Sequence, residues 1–217
     1  MNDNNKNSNP QKELDKLIAS LELEQKTPTL LLHSCCAPCS SYVIEYLSNH
    51  FSITVFFYNP NIYPAEEYTR RLKEQQRFIS ELQTKHPVTF IAGDFENNAF
   101  YTAVKGKEEE KEGGSRCKAC FELRLNKTAQ KAKEINTNYF ATTLTISPLK
   151  NALLINKIGA LAAQKYGTQY LPTDFKKKNG FKRSIELSKT YNLYRQNYCG
   201  CKYSGLEVIR QQETGKV

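Results

Sequence analysis

Four short apolar runs, each joined to a stretch of helical periodicity, constrain this chain more than any other feature. They are TLLLH (29–33), SITVFFY (52–58), PVTFIAG (87–93) and the run inside NYFATTLTISP (138–148). Their β-branched and aromatic content marks them as strands. Between and after them the sequence predicts helices over about 40–49, 65–85, 116–135 and 151–167, the last with the clearest amphipathic pattern. Strands that alternate with helices make parallel pairs. The expected fold is therefore α/β: a Rossmann-like parallel sheet flanked by helices, with a Cys-containing basic and aromatic C-terminal segment. Residues 1–10 read as disordered, and QKELDKLIASLELEQ (11–25) as a short amphipathic helix.

The chain has 217 residues, of which 39% are hydrophobic, enough for one core-forming domain. We expect residues 1–26 to be a partly disordered N-terminal extension and 27–210 a single α/β catalytic domain. No stretch approaches the roughly 18 apolar residues of a membrane span. The polar start, MNDNNKNSNPQKE, lacks the apolar region of a secretory signal. Cytoplasmic location is the resulting expectation, and in that reducing compartment the seven cysteines point to metal binding or redox chemistry. Lys and Arg exceed Asp and Glu by 31 to 22, a charge of +9 that suits a polyanionic partner or simple solubility.

In parallel α/β sheets, ligands bind beyond the carboxyl ends of the strands. Cys35, Cys36 and Cys39 follow the first run directly, with His33 beside them; Asn59, Asp94, Thr142, Thr143 and Ser147 follow the others. All are expected at one rim. Cys117 and Cys120 form a C-x-x-C at the start of a predicted helix, where spacing puts both thiols on one side and the helix end favours thiolate. Together the two groups suit an iron–sulfur cluster or a structural zinc ion. A thioredoxin-like pair at Cys36 and Cys39, or inert buried thiols, stay open as alternatives.

Cys199-Gly200-Cys201 is a different object: two thiols around one glycine can close a small, strained and easily reduced disulfide, or add a metal-ligand pair. Just upstream, DFKKKNGFKRS (174–184) and then Tyr191, Tyr194, Arg195, Tyr198 and Tyr203 mix basic and aromatic residues. That composition holds phosphates and stacks bases, or else forms a solvated loop followed by core aromatics.

Taken in order, LLHSCCAPCS, FYNPNIYPAEEYTRR, RCKACFELRL, TTLTISPLKN, TDFKKKNG and YRQNYCGCKYS resemble the QueH-type epoxyqueuosine reductases, over Leu30 to Gly205. The resemblance implies deoxygenation of epoxyqueuosine, at the wobble position of tRNA, by two electrons. It implies a [4Fe-4S] cluster on Cys35, Cys36, Cys117 and Cys120, and a redox-active disulfide between Cys199 and Cys201. It also implies an additional iron ion, for which Cys39 is a candidate ligand. On this expectation iron acts as Lewis acid on the epoxide oxygen, and the dithiol, or an external donor feeding it, supplies reducing equivalents. Arg70, Arg71 and the basic C-terminal third, Lys176, Lys177 and Lys178 included, would clamp the anticodon arm. The main alternative is a zinc-stapled RNA-binding module without catalysis, which has no use for Cys-Gly-Cys.

Overall fold

The computed structural model describes residues 9–213. Its strands are β1 (Thr29–His33), β2 (Ser52–Phe57), β3 (Val88–Ala92) and β4 (Tyr139–Thr142), all parallel in the order β3-β2-β1-β4. Leu30, Leu31 and Leu32 of the central strand β1 are all fully buried, as a strand covered on both faces requires. Their side chains alternate. Leu30 and Leu32 enter a cluster with Val43, Ile44 and Phe78, while Leu31 enters another with Ala129, Phe140 and Ala162. The sheet thus lies between two helical layers.

On the first face pack α1 (Pro10–Leu23), α2 (Ala37–Leu47), α3 (Ala65–Glu81) and α7 (Gly180–Thr190). Leu14, Ile18 and Leu21 of α1 are buried in the same cluster as β1, although the sequence sets this segment apart as an extension. Asn9 caps α1 by accepting the Gln11 N–H, so residues 9 and 10 are ordered rather than disordered; residues 1–8 lie outside the described residues. On the second face lie α5 (Ser115–Glu134) and α6 (Ala152–Tyr166). Their contact uses small residues: Ala129, Ala132, Ala162 and Ala163. Asn151 caps the start of α6, and Gly167, at φ 63°, closes its end in the left-handed conformation that glycine adopts without strain.

Three local differences from expectation have physical reasons. Helix α2 begins at Ala37, three residues earlier than predicted, because Pro38 sits inside the first turn, where its missing N–H is not needed. β4 stops at Thr142, whose hydroxyl accepts the Leu144 N–H and turns the chain into a 3₁₀ turn, Thr143–Ile146. Three further helices were not foreseen: α4 (Asn97–Ala103), too short to show a period, α7, and α8 (Lys202–Glu213) after the last cysteine. No helix among the described residues is long and apolar enough to cross a membrane.

Candidate active site

The carboxyl ends of β1 and β4 build a crevice. His33 ends β1 fully buried, with Nδ1 2.8 Å from the Thr142 hydroxyl of β4. Arg124 of α5 donates from Nε to His33 Nε2 at 3.2 Å, and the Tyr58 carbonyl oxygen stands 3.2 Å from the same ring nitrogen. Burial, and then the Arg124 charge, push the imidazole pKa down to about 3, so the ring is neutral. Arg124 also donates to Asn59 Oδ1 at 2.6 Å and faces Cys120 Sγ at 3.9 Å. Its guanidinium is 1% exposed and has no carboxylate partner among the described residues. The acidic groups within its reach are the thiols of Cys120, Cys35 and Cys199.

Directly after β1 the sulfur atoms of Cys35, Cys36 and Cys39 lie within 4.8 Å of one another and can hold a metal ion. Cys36 caps α2 and Cys39 stands in its first turn. Hydrogen bonds from the Cys36 and Cys39 thiols hold the Cys35 pKa well below the usual thiol value. The Cys36 pKa is correspondingly pushed up to about 12, chiefly by its bond to Cys35, and that of Cys39 is also well raised. One proton is lost and two thiols donate to the charge that results. Gln196 donates to Cys36 Sγ at 3.1 Å, while its buried Oε1 has no partner.

Helix α5 brings the second group. Cys117 accepts the Gly113 N–H at 3.2 Å and packs with Cys35 against Phe121, Leu125 and Leu144. Cys120 lies beside Cys201, with Phe100 and Val104. The expectation that this helix start favours thiolate is overturned: burial raises both thiols, Cys120 to about 12. In an apolar pocket the cost of desolvating a thiolate exceeds what a helix end returns.

The third group arrives on a hairpin pinned from both sides. Arg71 donates to the Cys199 carbonyl at 3.1 Å, and the Gly200 carbonyl accepts the Tyr63 N–H at 2.9 Å. Gly200 has φ 124°, and a Cβ there would stand 2.8 Å from Arg71 Nη1. Only glycine fits. Cys201 Sγ accepts the Ser204 N–H at 3.4 Å at the start of α8. All seven cysteines are free thiols. Cys35, Cys39 and Cys199 line one cleft of about 210 Å³, together with Glu112, Lys150 and Arg195.

Several expected residues stand elsewhere. Asp94, after the edge strand β3, is exposed and outside the cleft. Arg71 is no outward clamp: it is 2% exposed and paired with Glu67 at 2.7 Å. Arg70 lies 3.4 Å over the Tyr194 ring. Of the basic run, Lys176 holds Asp174 and the Thr145 and Lys150 carbonyls, Lys178 pairs with Asp15, and Arg183 pairs with Glu45. Lys177 and Lys182 have no ion pair among the described residues. Sequence reasoning missed Arg124, Lys150 and Gln196. For Arg124 a signal existed: it follows Cys120 by four residues, one helical turn on the same face.

Fold and site define a parallel α/β domain with a thiol-lined cleft in the crevice beyond its central strands. A family model described as epoxyqueuosine reductase QueH matches residues 30–207. The proteins named epoxyqueuosine reductase QueH from Streptococcus pyogenes and Staphylococcus aureus are each 45% identical to this chain. The first match covers 98% of this chain and 87% of the relative, the second 94% and 86%. The Thermotoga maritima protein of that name is 36% identical over 82% of this chain and 91% of its own length. The chain belongs to the epoxyqueuosine reductase QueH family.

Proposed function

We propose that this protein is a cytoplasmic oxidoreductase that removes the epoxide oxygen of epoxyqueuosine in tRNA, with residues 27–210 as its catalytic domain. The observation that carries the reading is a convergence, in a chain of this family, of thiols from three distant segments around Arg124. A buried guanidinium without a carboxylate needs another source of negative charge. A thiolate-ligated iron–sulfur centre fits that need, the soft donors present, and the unpartnered Nη2 of Arg71 beside Cys36.

On this reading Cys35, Cys36, Cys117 and Cys120 hold a [4Fe-4S] cluster, and Cys39 is left for the additional iron. When bound, iron supplies single electrons and a Lewis acid for the epoxide oxygen. The chain's own residues do the rest. Pro38, Leu144, Ile146 and Phe181 wall the cleft against water. The Lys150 ammonium lines the cleft with Cys199, Cys35 and Cys39, and these acidic neighbours raise its pKa despite burial, so it stays protonated. It stabilises negative charge on the oxygen as the first carbon–oxygen bond breaks. Cys199 and Cys201 give up two electrons and two protons and become a disulfide. The substrate loses its oxygen as water and gains a double bond between the two carbons.

The test is direct. Iron-loaded protein, epoxyqueuosine-containing tRNA and a chemical reductant should yield queuosine by nucleoside mass spectrometry. Cys199→Ser should keep its iron and fall to background turnover. No conversion by the loaded wild type, or an undiminished rate in Cys199→Ser, defeats the reading.

For tRNA contact the reading narrows to Lys177 and Lys182, which flank the cleft residue Phe181 on the basic run. Lys177→Glu with Lys182→Glu should weaken tRNA binding about tenfold at low salt and flatten the dependence of log K on log salt by one to two units. Filter binding across a salt series measures both, and an unchanged slope removes these lysines from the interface.

A further inference from the structure

Cys199 and Cys201 do not face the same space. Cys199 lines the cleft that also holds Cys35 and Cys39. Cys201, 7% exposed and packed with Phe100 and Val104, borders a second groove, of about 450 Å³, and the segment Asn197–Tyr198 lines both. The dithiol hairpin is therefore a partition between two openings. Its position is held from both sides by the Arg71 and Tyr63 hydrogen bonds to Cys199 and Gly200.

The second groove has a different chemistry from the first. Tyr63, Pro64 and Tyr198 line one part, and Leu206, Val208 and Ile209 of α8 line another. Leu206 and Ile209, three residues apart on one face of α8, are 40% and 51% exposed. Lys202 is the single charged residue lining the groove among the described residues, and its ammonium lies 5.9 Å over the Tyr63 ring. Such a surface offers little to a small, highly charged thiol. It suits a protein that presents a thiol from an apolar patch.

We propose that the groove formed by α8 and the Tyr63–Pro64 corner docks a protein dithiol that re-reduces the Cys199–Cys201 disulfide by attack on Cys201. The inference rests on the redox-pair reading above. The attacking thiolate of the partner bonds to Cys201 Sγ; the Cys199–Cys201 bond breaks and Cys199 leaves as thiolate and takes a proton. The partner's second thiol then attacks its own sulfur in the mixed disulfide and releases Cys201 as a thiol. The partner ends as a disulfide and the chain as a dithiol, with two electrons and two protons transferred. Since the exchange occurs on the groove side, tRNA seated over the cleft does not block it.

The experiment uses full-length protein oxidised with diamide, reduced thioredoxin as the protein dithiol, and dithiothreitol as the small one. No tRNA is present, so the outcome stands apart from the deoxygenation assay. Wild type should be reduced by both. Leu206→Asp and Ile209→Asp should each slow reduction by thioredoxin about tenfold and leave the dithiothreitol rate unchanged. Thioredoxin stripped of its second thiol should be trapped on Cys201, as peptide mass mapping would show. Trapping on Cys199 overturns the proposal. So do wild-type thioredoxin rates in both variants, equal slowing with dithiothreitol, or failure of the pair to form a disulfide.

Discussion

After oxygen-free purification, Cys117→Ser is expected to carry less than about a tenth of the iron and acid-labile sulfide of the wild type, since losing a ligand costs more than the 10–100-fold that a supporting residue costs. The substitution is conservative in every other respect. Cys117 stands in the first turn of α5, where its side chain accepts the Gly113 N–H. A serine hydroxyl can accept the same bond, and the packing against Phe121 and Leu144 changes little. The metal-free variant should therefore unfold within about 0.5 kcal/mol of metal-free wild type. What disappears is a soft donor, and oxygen does not replace sulfur toward iron–sulfur centres. Cys39→Ser is the informative control: it belongs to the close triad with Cys35 and Cys36 but not to the proposed cluster set. It should keep its sulfide. Full sulfide in Cys117→Ser, or its loss in Cys39→Ser, would move the cluster to a different set of thiols.

The second large effect is structural. Gly180→Ala should lower the unfolding free energy by about 2–4 kcal/mol. Gly180 opens α7, which packs on α2. A Cβ there would fall well inside contact distance of the Phe175 carbonyl oxygen and the Tyr42 ring of α2. Phe175 is buried, so its backbone has nowhere to retreat. At a urea dependence of roughly 2 kcal/mol per molar, the midpoint drops by about 1–2 M. Phe181 and Ser184 of the same helix line the cleft, so turnover should fall together with stability. Gly106→Ala provides contrast: nothing lies within 4 Å of its added carbon, and only its φ of 76° resists, at about 1 kcal/mol. An unchanged midpoint for Gly180→Ala would mean that α7 shifts freely over α2.

What could be read from the sequence follows from where the determinants sit. TLLLH is buried on both faces and needs no distant partner to declare itself a central strand, and Cys117 and Cys120 show their common side through spacing alone. Arg124 does not: it is one more basic residue on a charged helix until His33, 91 residues earlier, and Asn59, 65 residues earlier, are folded against it. Arg71 misled for the same reason. Its run, EEYTRRLKE, reads as a solvated face, yet the Cys199 carbonyl it holds is 128 residues away. Helices α7 and α8 were hidden because their apolar residues are few and widely spaced among basic and polar ones. Their places are decided by α2 and by the cysteine hairpin rather than by their own pattern.

The wide separation of the three thiol groups has a consequence for how the protein is made. About 160 residues lie between Cys39 and Cys199. At about 5–20 residues per second, a ribosome releases the first cysteines on the order of ten to thirty seconds before the last. Throughout that interval the early sulfurs are on a nascent chain that still lacks Arg71's carbonyl partner and the wall of the cleft. The Arg71 anchor and the last wall of the cleft exist only once the segment around Cys199 has been made, so a chain cut short before Cys199 lacks both.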